Sequence, residues 1–126
     1  MSKENLNFAK FGEEAACEFL KKNSYKILAR NYKNKLGEID IIAQDQETIC
    51  FVEVKSRHSD KFGLPQEAIL GHKQRQLSRV ALSFLKENNL LDKKARFDVV
   101  SVMHSQENPK LDLIKNAFEL EARYVI

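Results

Sequence analysis

Two consecutive apolar runs, GEIDIIA (residues 37–43) and TICFVEVK (residues 48–55), decide the fold of this chain. Both are rich in β-branched residues, and the short polar run 44–47 separates them, so they predict two antiparallel strands joined by a tight turn. Acids interrupt both strands, Asp40 in the first and Glu53 in the second. Glu53 and Lys55 are two residues apart and therefore point to the same face.

The position of the turn decides how the two acids face each other across the hairpin. If Gln46 and Glu47 form a two-residue loop, Asp40 lies directly opposite Glu53, and non-hydrogen-bonded pairs lie about 4.5 Å apart at Cα. If the loop begins one residue earlier, the pair is diagonal. In either register, one cation can bridge the two carboxylates.

The faces of the hairpin are apolar as well as charged. Strict alternation places Phe51 on the face of Glu53, and Ile42 on the face of Asp40. Charges within an apolar face need a partner, because burying them unpaired is costly. The pattern therefore favours a functional site over a structural ion pair or a solvated patch.

Composition and length predict one soluble globular domain over residues 1–126, with 43% hydrophobic and 31% charged residues. No apolar run approaches membrane-spanning length, and the N-terminus does not resemble a signal peptide. Cys17 and Cys50 lie within apolar patterns, which indicates core positions in a reducing compartment. The expected location is the cytoplasm, without a membrane partner.

The charge distribution is more informative than the net charge of +3. Residues 19–37 contain no acid and six basic residues, and they lead directly into the acidic hairpin. A basic segment beside an acidic cluster suits a polyanion held next to a divalent cation. The alternative is a solvated lysine-rich surface.

The remaining chain predicts two helices and three strands around the hairpin. The helices are expected over residues 3–23 and 66–88, and the strands over residues 25–32, 97–103 and 111–114, the last being short and at an edge. The order is α-β-β-β-α-β-β, an α/β (α+β) fold with a mixed central sheet flanked by helices.

One acid of the first helix departs from the helical pattern. Glu13 falls on the apolar stripe of Ala16 and Leu20, which should face the core. It either snorkels at the edge of that stripe or projects into a site against the sheet.

This combination of residues favours a particular chemistry. Carboxylates without histidine or thiolate nearby favour Mg²⁺ or Mn²⁺ over zinc. Such a cation stabilises the charge of a phosphodiester transition state and lowers the pKa of water. Lys55 can orient or deprotonate the attacking water and balance phosphate charge.

At these residues the chain resembles a known family. Asp40 and, thirteen positions later, Glu53-Val54-Lys55 resemble the P-D-(D/E)-x-K motif of the restriction-endonuclease-like superfamily, with Ile39 in place of the proline. A longer series resembles the YraN family of small bacterial proteins, which is similar to archaeal Holliday-junction resolvases. The matches, which span about residues 8 to 118, are 12–16, 30–31, 37–43, 51–57, 62–63, Lys73 and 96–100.

The resemblance implies a restriction-endonuclease-like core and a specific site. Asp40, Glu53 and the main-chain carbonyl of Val54 would hold Mg²⁺ or Mn²⁺, and Lys55 would be the catalytic lysine. Glu13 would be the additional acid of the first helix, a further catalytic residue and metal ligand.

The function expected from these features is metal-dependent hydrolysis of phosphodiester bonds in branched or structured DNA, by a monomer or a homodimer. The alternatives are a non-catalytic nucleic-acid-binding or adaptor protein that keeps the nuclease fold, and an interaction domain with a structural ion-pair cluster. The residues expected to contact nucleic acid are Lys21, Lys22, Lys33, Lys35, Arg57, Lys73, Arg75 and Arg79.

Overall fold

The computed structural model describes residues 3–58, 71–104 and 108–118, with side chains described from residue 8 onward. The elements are α1 (Lys3–Lys22), β1 (Lys26–Asn34), β2 (Gly37–Asp45), β3 (Thr48–Arg57), α2 (Gly71–Glu87), β4 (Lys94–Met103) and β5 (Lys110–Phe118). They confirm the predicted element order and the α+β class. No helix in the described ranges is long and apolar enough to cross a membrane.

The five strands form one mixed sheet in the order β1-β2-β3-β4-β5. The β3–β4 pair is parallel, and the other three pairs are antiparallel. Asp45 pairs with Thr48, so Gln46 and Glu47 form the two-residue loop, with φ of 56° at Gln46. The predicted hairpin and the first of the two predicted loop positions, Gln46 and Glu47, are therefore confirmed.

Each face of the sheet is covered by one helix. Ala16, Cys17 and Leu20 of α1 pack with Cys50 and other inward residues of one face. The buried residues of α2, which include Leu77, Val80, Ala81, Phe84 and Leu85, pack on the opposite face. Both cysteines are buried and free, as the sequence predicts.

Several element boundaries differ from the prediction. The expected short strand 111–114 is wrong in length, since β5 continues to Phe118, whose ring stacks on Phe97 at 4.4 Å between centroids. The main-chain N–H of Asn116 also donates to Asp98 Oδ1 at 2.9 Å, which holds the second half of this strand. In addition, β4 begins at residue 94, β1 spans residues 26–34, and α2 spans residues 71–87. The predicted start of α2 at residue 66 lies outside the described residues.

Strict alternation fails in β2 at Asp40. Ile39 and Ile42 belong to the same cluster under α2, although strict alternation would place them on opposite faces. The prediction of an uninterrupted two-residue period through this strand is therefore wrong. The β1–β2 register does not shift here, and Asn31, which faces Asp40 in that register, has φ of 51°. Both strands thus change orientation together at Asp40.

Candidate active site

The candidate site lies where β2 and β3 separate. Their ladder ends at the Ile41–Val52 pair, one pair before Asp40 and Glu53. The main-chain N–H of Val54 donates to Asp40 Oδ2 at 2.8 Å. The carboxylate of Asp40 therefore accepts the hydrogen bond that a main-chain carbonyl would accept in a continuous ladder. This bond fixes the carboxylate at the opening between the strands.

A cleft of about 480 Å³ lies at this opening. It brings together the four residues that the sequence singled out, which come from α1, β2 and β3. The lining residues are Phe8, Ala9, Glu13, Asp40, Glu53, Val54, Lys55 and Ser56.

Glu53 is the most constrained acid of the cleft. Its residue is 5% exposed, and burial, with the nearby carboxylate of Asp40, raises its pKa to about 7, against the opposing charges of Lys73 and Lys55. Within the described residues, Glu53 Oε1 is buried and accepts no hydrogen bond. A buried carboxylate oxygen without a partner is costly, so this position suits a cation ligand.

Asp40 is also buried in the cleft, but a hydrogen bond offsets part of the effect of burial on its pKa. Burial raises the pKa of Asp40, whereas the hydrogen bond from Val54 lowers it. Glu38 raises this pKa further, and the two lysines, Lys55 and Lys73, lower it. For both Asp40 and Glu53, burial is therefore the largest cause of the raised pKa, and the two lysines offset it only in part.

Glu13 reaches the cleft from α1. Burial and then the charge of Asp40 raise the pKa of Glu13, and a hydrogen bond with Asn31 lowers it. Gly12 permits this approach, because a Cβ at that position would overlap the hydroxyl of Ser56 on β3. The half-buried Glu13 therefore projects toward the sheet, which is the second of the two alternatives that the sequence left open for it.

The described donors fit a hard cation in part. Asp40 and Glu53 supply carboxylate oxygens, and a buried oxygen of Glu53 has no protein partner among the described residues. Across the described ranges, no three or more His, Cys, Asp or Glu side chains are grouped so that they could hold a metal ion. Glu13 is thus a neighbour of the Asp40–Glu53 pair rather than a third close ligand, and main-chain oxygen or water would complete the shell.

The basic residues expected to contact nucleic acid divide into two groups by position. Lys33 pairs with Glu38 in the β1–β2 ladder, and Lys35 lies in the turn that follows β1, so both are at the cleft end of the sheet. Lys73 is close enough to influence the pKa of both Asp40 and Glu53.

Lys21 and Lys22 lie elsewhere, in the last turn of α1. Lys21 follows Glu13 by eight residues, about 12 Å along the helix axis, and it pairs with Glu18 at 3.4 Å. The structure places Arg57 at the end of β3, and Arg75 and Arg79 on α2.

Sequence reasoning did not predict two contributors to the site. Asn31 hydrogen-bonds Glu13, and its left-handed backbone is a conformation that Asn tolerates better than most residues. Lys73 was predicted as a nucleic-acid contact, but its influence on both carboxylates was not. The match at residues 30–31 in the family resemblance was the available signal for the first, and the fold alone reveals the second.

The fold and the cleft define an α+β protein with a buried acid pair and a lysine where two strands diverge. The model of the uncharacterised protein family UPF0102 matches residues 12–102. The chain belongs to this family, which is the YraN family of the sequence resemblance.

Its relatives match over most of their length. A UPF0102 protein of Syntrophus aciditrophicus is 50% identical, covering 93% of this chain and 92% of its own. One from Caldicellulosiruptor saccharolyticus is 56% identical over 85% of this chain and 92% of its own. A solved structure titled "Crystal structure of SSO0001" is 21% identical with a TM-score of 0.42, covering 98% of this chain and 57% of that one. A likeness at that level carries no functional argument.

Proposed function

We propose that this protein is a metal-dependent endonuclease that hydrolyses phosphodiester bonds in branched or structured DNA. The observation that carries the proposal is the cleft that joins Asp40, Glu53 and Lys55, with Glu13 beside them. In particular, the buried Oε1 of Glu53, which has no partner among the described residues, suits a cation better than it suits a structural ion pair.

Three groups in the cleft have the chemistry of cation ligands. Asp40, Glu53 and the main-chain carbonyl of Val54 would hold Mg²⁺ or Mn²⁺. When bound, the ion stabilises charge on the phosphate and lowers the pKa of water. The hydrogen bond from Val54 fixes the carboxylate of Asp40 before any ligand arrives, so little reorganisation is needed.

Lys55 lies beside the acids and lowers the pKa of both Asp40 and Glu53. It follows Glu53 by two residues in β3 and so is directed to the same opening. Its ammonium group would orient the attacking water and balance charge on the phosphate. Glu13, held by Asn31, would position water on the α1 side of the cleft.

One observation favours the alternative of a non-catalytic nucleic-acid-binding protein. Within the ranges that the structure describes, no group of three His, Cys, Asp or Glu side chains could hold a metal. An adaptor that retained the fold would keep Lys73 and Lys33 for phosphate contacts without a need for cation binding.

A cleavage assay tests the proposal. The wild type is incubated with linear, flapped and four-way-junction DNA under Mg²⁺ or Mn²⁺ titration, beside Glu53→Gln. The matched control is Glu47→Gln, an exposed acid of the β2–β3 loop. We expect metal-dependent products from the wild type and the control, and at least a hundredfold less from Glu53→Gln, about 3 kcal/mol in activation free energy. The absence of products with every DNA and both metals would overturn the nuclease and leave the adaptor.

A further inference from the structure

Four rings next to the cleft form a continuous row that the proposed chemistry does not use. This aromatic ridge consists of Phe8, Phe11, His58 and His104. Phe8 stacks on His58 at 4.5 Å between ring centroids. It contacts the tilted ring of His104 at 4.1 Å, and His104 lies 5.2 Å from Phe11. These separations are those of rings in direct contact.

The fold places the ridge at the same edge of the sheet as the cleft. His58 follows the end of β3, and His104 follows the end of β4, and these strands are parallel. The main-chain N–H of His104 donates to the carbonyl of Arg57 at 2.8 Å, which keeps the two strand ends together. Phe8 lines the cleft itself, so the ridge is continuous with the proposed catalytic site.

The outer end of the ridge is open to solvent. Phe11 is 50% exposed and is one of three exposed large apolar side chains among the described residues, together with Leu36 and Leu91. Phe8 is half-buried by its neighbours, so packing within the fold accounts for an aromatic side chain at that position. Packing accounts less well for Phe11, which is 50% exposed. Phe11 is in ring contact with the rest of the ridge, and a contiguous apolar patch beside polar residues is typical of a ligand-binding surface.

The chemistry of these rings suits one kind of ligand. Burial, with the neighbouring His58, lowers the pKa of His104, which favours the neutral form of its flat ring. Aromatic side chains beside a phosphate-binding groove stack on nucleobases, and such stacking tolerates any base. In an intact duplex the base faces are covered by neighbouring base pairs, whereas unpaired bases can be splayed onto side chains.

We propose that the aromatic ridge is a stacking platform for an unpaired nucleobase of the DNA strand whose phosphodiester occupies the cleft, with Phe11 as its outermost contact. The proposal rests on the proposed function and narrows its substrate to DNA with an unpaired base near the cleavage position. Phe11 lies outside the residues that line the cleft. Its contact would therefore set the preference for unpaired bases and would take no part in the hydrolysis.

The chain contains no tryptophan, so a single substitution supplies a reporter at the ridge. Phe11→Trp keeps an aromatic ring there, and its fluorescence reports base stacking. The matched control is Leu91→Trp, because Leu91 is similarly exposed, at 58%, but lies far from the ridge. Leu91 precedes β4, whereas His104 of the ridge follows it. The two ends of this strand are about 30 Å apart. Both variants are titrated with single-stranded, flapped and blunt duplex DNA of equal length, without divalent metal.

We expect single-stranded and flapped DNA to quench Phe11→Trp strongly, blunt duplex to quench it weakly, and Leu91→Trp to respond to none of them. Phe11→Ala should lower affinity for flapped DNA about tenfold, while its affinity for blunt duplex stays within twofold of wild type. Equal quenching at both positions, or unchanged flap affinity in Phe11→Ala, would overturn the platform.

The two proposals fail separately. Metal-dependent cleavage by wild type that is insensitive to Phe11→Ala and shows no preference for unpaired bases refutes the platform and leaves the nuclease. Specific quenching of Phe11→Trp without cleavage by wild type refutes the nuclease and retains a platform for unpaired bases on a binding protein. Absence of DNA binding by wild type overturns both.

Discussion

At the scale of single residues, Glu53 carries the largest electrostatic cost in the cleft. It is the last of the five consecutive buried residues of β3, 49–53, and the charge of Asp40 raises its pKa. A structural ion-pair cluster would pair each acid with a base and would keep its pKa low. The raised pKa of Glu53 indicates instead a site whose charge is left for a ligand to neutralise.

This cost predicts a pH-dependent stability change. The pKa of Glu53 rises on folding from 4.5 to about 7, so its destabilising effect is absent below pH 4.5 and complete above pH 7. Glu53→Gln should therefore raise the free energy of unfolding at pH 8, on the order of 2 kcal/mol, and leave it unchanged near pH 4.5. Urea denaturation across this range measures the difference. Glu47→Gln should show no comparable gain, and a destabilised Glu53→Gln at pH 8 would indicate a structural role.

A bound divalent cation should offset the destabilisation that the buried carboxylates of Asp40 and Glu53 cause. Millimolar Mn²⁺ or Mg²⁺ should raise the melting temperature of the wild type, because the ion binds only the folded site. Asp40→Asn should be more stable than wild type without metal, by about 1 kcal/mol, and should not respond to metal. Thermal melts of both proteins with and without metal test this. If Asp40→Asn were less stable and the wild type indifferent to metal, the acids would be a structural cluster.

At the scale of elements, the sequence predicted the regular parts and missed where they bend. The hairpin was predictable because its apolar runs and polar turn are local signals. The change of orientation at Asp40 was not, because it depends on Asn31 in a neighbouring strand and on the loss of ladder pairing next to Glu53. The full length of β5 was hidden for a similar reason, since tertiary contacts of Phe118 hold a segment whose own pattern is weak.

An ion-pair network fixes the opposite end of the sheet. Arg96 donates through Nε to both oxygens of Asp98, at 3.0 and 3.1 Å, and through Nη2 to Asp45 at 2.8 Å. Asp98 is fully buried and also accepts the main-chain N–H of Asn116 from β5. This arrangement contrasts with the cleft, because its buried acid has a paired base.

Breaking this network should destabilise the fold without removing the cleft. Arg96→Met leaves Asp98 buried without its main counter-charge and should lower the free energy of unfolding by about 3 kcal/mol. The double variant Arg96→Met/Asp98→Leu should recover part of that loss, because no unpaired charge remains. Urea denaturation of the single and double variants gives the coupling energy. Strictly additive effects would contradict a paired buried network.

At the scale of the whole molecule, the basic residues of one stretch of sequence lie on different parts of the surface. The basic segment 19–37 suggested one binding surface, but folding separates its members. Lys33 and Lys35 lie at the end of the sheet that holds the cleft, and Lys21 and Lys22 lie in the last turn of α1. Sequence proximity therefore grouped residues that the fold places apart.

The separation predicts different effects on DNA binding. Lys33→Ala/Lys35→Ala should weaken binding and reduce the slope of log affinity against log salt by about 2, one for each lost phosphate contact. Lys21→Ala/Lys22→Ala is the matched control with the same charge change, and it should leave both quantities close to wild type. Fluorescence anisotropy over a series of salt concentrations measures them. Equal effects of the two pairs would show that binding depends on total charge rather than on the cleft.

One measurement separates DNA binding from the metal-dependent hydrolysis proposed for the Asp40–Glu53 cleft. Wild type and Asp40→Asn are first bound to the same flapped DNA without metal, at equal occupancy, and Mn²⁺ is then added. We expect the wild type to cleave the bound strand in a single turnover and Asp40→Asn to remain bound without cleaving it. Cleavage at the same rate by both proteins, or none by either with DNA bound, would contradict the account.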